Sequence, residues 1–222
     1  MASRLRSEQV YDALRKEIIE GDLPPGTRLA TRALAQRLQV SDIPVREALW
    51  MLAKDGLVEN TPYAGARVRQ FTPREVAETY AVRGYLESLA LKLGAGRLND
   101  EQVSGVERLM DQLQQALDDE DLVAYGQLNR LFHDAILVGC PNTRLLELID
   151  NLWDGQASYQ MVFRLNPERA QASQAEHRQI ATAVISGDGE RAAELISAHR
   201  QNVTDAVLHT MLTSQETKEQ SP

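Results

Sequence analysis

The sequence has a single cysteine, Cys140, and few aromatic residues, 5% of its 222 residues. One cysteine cannot form an internal disulfide, which is typical of proteins kept in a reducing cytoplasm. No apolar run approaches the roughly 20 residues that a bilayer span requires. The first residues also lack the continuous apolar segment of a secretory signal. These absences predict a cytoplasmic protein with no membrane segment.

Positive charge is also in deficit, with 24 Lys and Arg against 32 Asp and Glu and a formal net charge of -8. That balance by itself disfavours a nucleic-acid-binding protein. The deficit is uneven, however, because residues 1–70 hold 11 basic against 9 acidic residues, whereas residues 71–222 hold 13 against 23. We therefore expect two parts of the chain that meet different partners.

Residues 1–71 have the pattern of three short helices followed by a β-hairpin. Apolar residues recur at helical spacing before the Gly and Pro cluster at 21–26, and a second helix fits 31–38. Ser41 is a favourable N-cap for a third helix, and two β-prone segments joined by a turn follow that helix. This order of elements predicts a winged helix-turn-helix domain.

The third helix carries the side chains that would read DNA. In a helix-turn-helix, the amino-terminal end of the second helix of the motif enters the major groove. Arg46 lies on the outward stripe of this helix, where a guanidinium suits guanine O6 and N7 or a phosphate. Exposed arginines also occur on purely solvated helix faces, so a structural three-helix domain stays open as an alternative. The candidate DNA contacts are Arg32, Ser41, Asp42, Ile43, Arg46 and Arg67.

From Thr72 onward the pattern is helical throughout. Thr72, Pro73 and Glu75 supply the N-cap, the N1 proline and the capping-box acid of a helix start. Short connections between the helices predict an all-α antiparallel bundle over 72–212, and the polar residues 213–222 predict a disordered tail. The predicted helices span about 73–96, 99–118, 120–138, 142–165, 168–186 and 188–212.

Three of the four histidines fall on different predicted helices of the bundle: His133, His177 and His199. Asn129 lies four residues before His133, so the two side chains share one helix face. A bundle can direct side chains from several helices to one central position, and three imidazoles with an oxygen ligand suit zinc, nickel or another divalent ion. The spacing leaves open that each histidine is an ordinary surface or core residue.

The pattern of the first part matches a known family at Pro25-Gly26, Leu34-Ala35, Val40-Ser41, Pro44-Val45-Arg46-Glu47-Ala48-Leu49 and Gly56-Leu57-Val58. In these residues it resembles the winged-helix domain of the GntR family of bacterial transcriptional regulators. The resemblance implies that Arg32, Arg46 and the wing residue Gly65 lie where the family contacts DNA. A homodimer would present two such helices to a pseudo-palindromic operator in double-stranded DNA. Asp42 replaces the usual arginine, and an aspartate can accept a hydrogen bond from cytosine N4.

The second part has its own set of matching residues: Tyr80-Ala81-Val82-Arg83, Glu87, Asn129-Arg130-Leu131-Phe132-His133, Glu176-His177-Arg178 and Ser197-Ala198-His199. Nearly all of residues 73–210 resembles the FCD ligand-binding domain of FadR-type members of the family. Many such domains bind a metal through an acid four residues before the first histidine and through two later histidines. Asn129 stands in place of that acid, so we expect weakened metal binding, or binding together with an anionic ligand.

Arg83 occupies a position where the resembling domains hold the carboxylate of a small acid. The planar guanidinium fork suits that role. An i, i+4 salt bridge to Glu87 is the structural alternative, and both can hold together.

The sequence therefore predicts a mainly α protein that acts as a ligand-responsive, DNA-binding transcriptional regulator and not as an enzyme. The resemblance implies a repressor that responds to a small carboxylic acid in a metal-containing bundle. The alternative is a metal-dependent enzyme that uses the three-histidine site.

Overall fold

The computed structural model describes residues 2–61, 65–154 and 166–219. The chain separates into two compact units, with the division between Phe71 and Thr72. The helices of the described residues are α1 Ala2–Glu20, α2 Thr31–Leu38, α3 Asp42–Lys54, α4 Pro73–Gly94, α5 Asp100–Asp118, α6 Leu122–Leu137, α7 Thr143–Asp154, α8 Pro167–Ile185 and α9 Gly189–Glu219. The strands are β1 Arg28–Leu29, β2 Val58–Thr61 and β3 Gly65–Val68.

The first unit is the predicted winged helix-turn-helix, with α1 to α3 packed beside a small antiparallel sheet. The strands are hydrogen-bonded in the order β1-β3-β2, and the hairpin pairs Val58 with Val68 and Thr61 with Gly65. The sequence pattern does not predict β1, because two residues are too few to show an alternation. Val45, Leu52 and Val68 are wholly buried in the core that the helices and the sheet share.

The turn between α2 and α3 sets which face of α3 is exposed. Gln39 adopts a left-handed conformation (φ 55°) that ends α2, and Ser41 is extended at the N-cap position of α3. The hydroxyl of Ser41 makes no capping hydrogen bond, although a serine at this position usually caps. The buried residues of α3 are Pro44, Val45, Ala48, Leu49 and Leu52. Their packing leaves the opposite face of α3 in solvent.

The second unit is the predicted all-α bundle. The capping box at the start of α4 is confirmed, since Thr72 Oγ1 accepts from the Glu75 N–H at 3.2 Å and the Glu75 carboxylate accepts from the Thr72 N–H at 2.8 Å. Within the bundle α4 packs along α9, α8 packs against α9, and α5 packs against α6 and α8. This arrangement gives α6, α8 and α9 inward faces around one interior. Across the described ranges, the helices fall short of the length and apolarity that crossing a membrane would require.

The end of the bundle differs from the prediction. Helix α9 continues to Glu219, so the segment 213–222, which the sequence predicts as a disordered tail, is helical over 213–219. Residues 213–219 contain Gln, Glu and Lys, which are good helix formers, and no Gly or Pro, but they lack the apolar periodicity that would reveal a helix. The predicted helix over 142–165 is described to Asp154, and its last part lies outside the described residues, as does the wing turn at 62–64.

Candidate DNA-reading face and candidate metal centre

All seven predicted DNA contacts lie on the surface of the first unit. Ser41, Asp42, Ile43 and Arg46 are exposed together at the amino-terminal end of α3, because the buried stripe of this helix faces the opposite way. Arg32 is exposed near the start of α2. The amino-terminal end of α3 therefore exposes a cluster of polar and apolar side chains at the part of the helix that enters the major groove in a helix-turn-helix.

The wing contributes Gly65 and Arg67, both exposed on β3. Gly65 has a positive φ of 85°, a conformation that favours glycine, and among the described residues no atom outside Gly65 and its chain neighbours lies within 4 Å of the position a Cβ would occupy. Arg67 Nη1 donates to the carbonyl oxygen of Gly26 at 3.4 Å, so its guanidinium lies over the loop before β1. The backbone at Gly65 is thus open to close approach, whereas Arg67 is partly held against its own domain.

Three histidines from three helices converge in the interior of the second unit. His133 of α6, His177 of α8 and His199 of α9 are 0%, 0% and 1% exposed, and their candidate ligand atoms all lie within 4.8 Å of one another. The ring centroids of the three pairs are 5.1, 5.3 and 4.8 Å apart. The convergence that sequence spacing leaves open is therefore present.

Asn129 shares the buried face of α6 with His133 and is 5% exposed. Its Oδ1 is buried and has no hydrogen-bond partner among the described residues. A buried carbonyl oxygen without a partner is unfavourable unless something else satisfies it. Oxygen is also a donor that divalent ions accept, so the predicted fourth residue has an atom available for that purpose.

The environment of the three imidazoles keeps them neutral. Burial lowers the pKa of His133 and of His177 well below the ordinary value, and the positive charge of Arg200 lowers both further. Burial also lowers the pKa of His199 to about 4, although its hydrogen bond to Glu176 acts in the opposite direction. Neutral imidazoles each retain a lone pair, which is the form that binds a metal ion.

Glu176 of α8 orients His199. Its Oε2 accepts a hydrogen bond from His199 Nδ1 at 2.6 Å, its Oε1 accepts from Asn202 Nδ2 at 2.8 Å, and the Arg169 guanidinium pairs with the same carboxylate. Burial acts to raise the pKa of Glu176, but the hydrogen bonds from His199 and Arg169 outweigh it and hold that pKa at about 2. With the proton of His199 fixed on Nδ1, its Nε2 lone pair is left for a ligand, the arrangement usual around metal-bound histidines.

Sequence reasoning does not find this role of Glu176. The residue adjoins His177, so helical geometry places it on a different face of α8, and only the approach of α9 brings His199 to that face. No spacing within either helix carries that information.

A second buried cluster lies between α4 and α9. Arg83 is 1% exposed, its Nε is 3.3 Å from Glu87 Oε1, and its Cζ lies 4.7 Å from the centre of the Tyr80 ring. Arg200 forks onto the same carboxylate, with its Nε 2.6 Å from Oε2 and its Nη2 2.8 Å from Oε1 of Glu87. The i, i+4 pair predicted as an alternative is therefore present, and Arg200, which the sequence does not single out, is its third member.

This cluster is electropositive. The two guanidinium groups of Arg83 and Arg200 and the single carboxylate of Glu87 carry a net charge of +1. Burial, followed by repulsion from Arg200, lowers the pKa of Arg83 to about 10. Both arginines also act to lower the pKa of His133, which shows that their field reaches the histidine cluster. A buried excess of positive charge next to three neutral imidazoles favours an anion.

Comparison with known proteins assigns both units. Residues 6–68 match the model of bacterial regulatory proteins of the gntR family, and residues 78–202 match the model of the FCD domain. The HTH-type transcriptional regulator YdhC of Bacillus subtilis is 28% identical over 207 residues, which cover 91% of each chain. The HTH-type transcriptional repressor GlaR of Escherichia coli is 28% identical over 197 residues, which cover 85% of this chain and 90% of GlaR.

Solved structures give the same assignment. The structure of Escherichia coli McbR superposes with a TM-score of 0.76 at 26% identity, over 93% of this chain and 98% of McbR. The fold, both family models and the named relatives agree with the exposed α3 and the helical bundle described above. The chain belongs to the gntR family of bacterial transcriptional regulators, in the group whose members carry an FCD domain.

Proposed function

We propose that this chain is a cytoplasmic, homodimeric transcriptional repressor whose affinity for DNA is set by a small carboxylic acid bound at a metal ion in the FCD domain. The observation that carries the proposal is the convergence of His133, His177 and His199, all buried and neutral, on one position. A metal-dependent enzyme is not favoured, because the gntR family model describes bacterial regulatory proteins and the named relatives are transcriptional regulators.

The donor set fits a borderline divalent ion such as zinc or nickel. Three neutral imidazoles and one amide oxygen are nitrogen and oxygen ligands of the kind those ions accept, with positions left for water or ligand oxygens. Asn129 brings no charge, so the ion would keep its full positive charge and would bind more weakly than at a site with an aspartate. The orphaned Oδ1 of Asn129 and the Glu176 carboxylate behind His199 support this assignment.

The carboxylate of the effector would supply the missing negative charge. Arg83 is our candidate for its anchor, because Glu87, which accepts two hydrogen bonds from Arg200, pairs with the Arg83 guanidinium and orients it. An acid bound between this cluster and the metal would contact α4, α6, α8 and α9 at once. It would therefore favour one packing of these helices over another, as differential binding to two states requires.

A dimer is supported by an exposed apolar stripe on α4. Val82, Tyr85, Leu89 and Leu93 recur at helical spacing with exposures of 50%, 79%, 47% and 39%. Large apolar side chains in a row along one helix face favour contact with a partner. We assign this stripe to contact with a second copy of the chain. A dimer would carry two recognition helices, one per chain, as a pseudo-palindromic operator requires.

Sedimentation of the full chain tests the dimer. Tyr85→Glu should shift the protein toward monomer, whereas Leu148→Glu, at an exposed apolar residue of α7, should leave it a dimer. Equal behaviour of the two variants would refute α4 as the dimer interface.

The metal site is tested by a zinc titration of the full chain in competition with a chromophoric chelator. Wild type should take up one zinc ion per chain, and His177→Ala should lose that uptake. His209→Ala is the matched control, because His209 is exposed on α9 and outside the histidine cluster. Equal uptake by wild type and His177→Ala would overturn the site.

The DNA-reading role is tested on duplexes selected from a random pool by the full chain. Arg46→Ala should weaken binding by about 5- to 150-fold, the range expected for loss of one bidentate base contact. Arg37→Ala removes the same charge from α2, where Arg37 pairs with Glu17 at 2.7 Å, and should change binding little. Unaltered affinity of Arg46→Ala would remove α3 from the interface.

The effector role of Arg83 is tested by calorimetry with acetate, succinate and citrate on the zinc-loaded protein. Arg83→Lys keeps the charge but loses the planar fork, so it should weaken binding of the acid that wild type binds best. Arg74→Lys, at an exposed position of the same helix, is the control. Equal acid affinity in wild type and Arg83→Lys would exclude Arg83 as the anchor.

A further inference from the structure

The exposed face of α3 has an unusual composition for a surface that meets DNA. Two of its five side chains are acids, one is an arginine, and two are large and apolar. Both apolar side chains are well exposed, Ile43 at 64% and Trp50 at 65%. The five exposed residues of α3 between its first residue and Trp50 are Asp42, Ile43, Arg46, Glu47 and Trp50.

Neither apolar side chain contributes to the core of the first unit. That core is built from the opposite face of α3, where Val45, Ala48 and Leu52 are wholly buried. An isoleucine left in water gains nothing for folding, but it gains free energy if a partner covers it. Ile43 lies in the first turn of α3, directly after Asp42, where the side chains of a recognition helix reach base edges.

The major groove offers one apolar group on its base edges, the 5-methyl group of thymine. We propose that Ile43 is a specificity-determining residue that recognises thymine through this methyl group. This inference rests on the proposed function, in which the end of α3 enters the major groove. It adds a base identity that neither Arg46 nor the phosphate contacts would supply.

The position of the thymine relative to the Arg46 contact follows from helix geometry. Ile43 and Arg46 are at i and i+3, so their Cβ atoms are about 5–6 Å apart on one face. Successive base pairs are separated by about 3.4 Å. The thymine should therefore lie one or two base steps from the base or phosphate that Arg46 contacts.

Trp50 is not assigned the same role. It lies seven residues after Ile43, which is about 10.5 Å farther along the helix axis and away from the amino-terminal tip. Trp50→Ala is therefore a matched control, since it removes an equally exposed apolar side chain of the same helix without touching the tip.

The experiment uses the full chain and a duplex that it selects from a random pool. Each thymine of one half-site is replaced in turn by uracil, which removes only the methyl group, and affinity is measured by fluorescence anisotropy. Burying one such group is worth about 0.8 kcal/mol, which corresponds to about fourfold in affinity. At one thymine, replacement by uracil should lower the affinity of wild type and of Trp50→Ala for the duplex about fourfold, whereas the affinity of Ile43→Ala should not change.

Three results would overturn the inference. In the first, no uracil replacement lowers the affinity of wild type. In the second, replacement at the sensitive thymine lowers the affinity of Ile43→Ala as much as that of wild type. In the third, replacement at that thymine no longer lowers the affinity of Trp50→Ala. Because Ile43 is exposed, an unchanged circular dichroism spectrum of Ile43→Ala should accompany these measurements. Failure of wild type to select any sequence would overturn the proposed function itself, and is distinguishable from selection of a sequence in which thymine methyl groups play no part.

Discussion

Replacement of Glu87 by glutamine should be among the most destabilising single changes in the second unit. The carboxylate is wholly buried, accepts two hydrogen bonds from Arg200 at 2.6 and 2.8 Å, and forms an ion pair with Arg83 Nε at 3.3 Å. Glutamine keeps the size of the side chain but removes the negative charge. Two buried guanidinium groups would then face no compensating carboxylate in this cluster, and removing one partner of a buried ion pair costs about 3–5 kcal/mol.

The α4 helix itself supplies the control. Arg74 and Glu78 form an i, i+4 pair of the same type at 2.7 Å, but their side chains are 86% and 61% exposed. An exposed pair contributes about 0–1 kcal/mol, so Glu78→Gln should be nearly neutral. The two variants share residue type, pair spacing and helix, and they differ in burial and in the second arginine, Arg200, that Glu87 also pairs with.

The assay is urea unfolding of the full chain, followed by far-ultraviolet circular dichroism. For a chain of this length, a loss of 3–5 kcal/mol corresponds to a decrease of about 6–20 °C in Tm, which a thermal scan can check. If Glu87→Gln lowers the free energy of unfolding by less than about 1 kcal/mol, or if Glu78→Gln lowers it equally, burial does not make this cluster essential to stability.

Further predictions concern other parts of the chain. Burial and a hydrogen bond to Asp55 raise the pKa of Tyr11 to about 12. The stability that this tyrosine contributes below pH 10 should therefore be lost as the pH rises from 10 to 12. Unfolding measured against pH should show a smaller loss in Tyr11→Phe. Gly94→Ala should destabilise the fold, because the new Cβ would lie 2.7 Å from the backbone nitrogen of Cys140. Gly105→Ala, at a helix position with room for a Cβ, should stabilise the fold by about 0.5–1 kcal/mol. Denaturant midpoints that move in the same direction for both variants would contradict these two predictions. Asn129→Asp should tighten zinc binding by about tenfold or more, because it adds a negative ligand, and a chelator competition that shows weaker binding would contradict the assigned ligand set.

The winged helix and the capping of α4 are predictable from sequence because their signals are local. Each signal ends or starts a helix within a few residues of its own position: the Gly and Pro cluster at 21–26, Ser41 at the N-cap position and the Thr72 capping box. The strand β1 is missed because it exists only through its pairing with β3, which lies almost forty residues away in the chain. Likewise the continuation of α9 to Glu219 has no apolar periodicity to reveal it.

The candidate metal site is predictable only in part, for the same reason. The spacing of Asn129 and His133 fixes a shared face on one helix, but whether His177 and His199 meet that face depends on how α8 and α9 pack. The contributions of Glu176 and Arg200 depend on that packing entirely, since each adjoins a candidate ligand in sequence and so projects from a different face of its helix. The spacing of residues along a single sequence does not reveal which helix faces come into contact.

Native mass spectrometry of the full chain, purified without chelators, decides whether the histidine cluster holds a metal ion in a dimeric protein. We expect a dimer that carries one divalent metal ion per chain, together with the mass of a bound small acid where one is retained. His177→Ala should give a dimer without the metal. A wild-type protein that is folded but free of metal, and that takes up no zinc or nickel when these are added, would refute the proposed metal site and with it the proposed function.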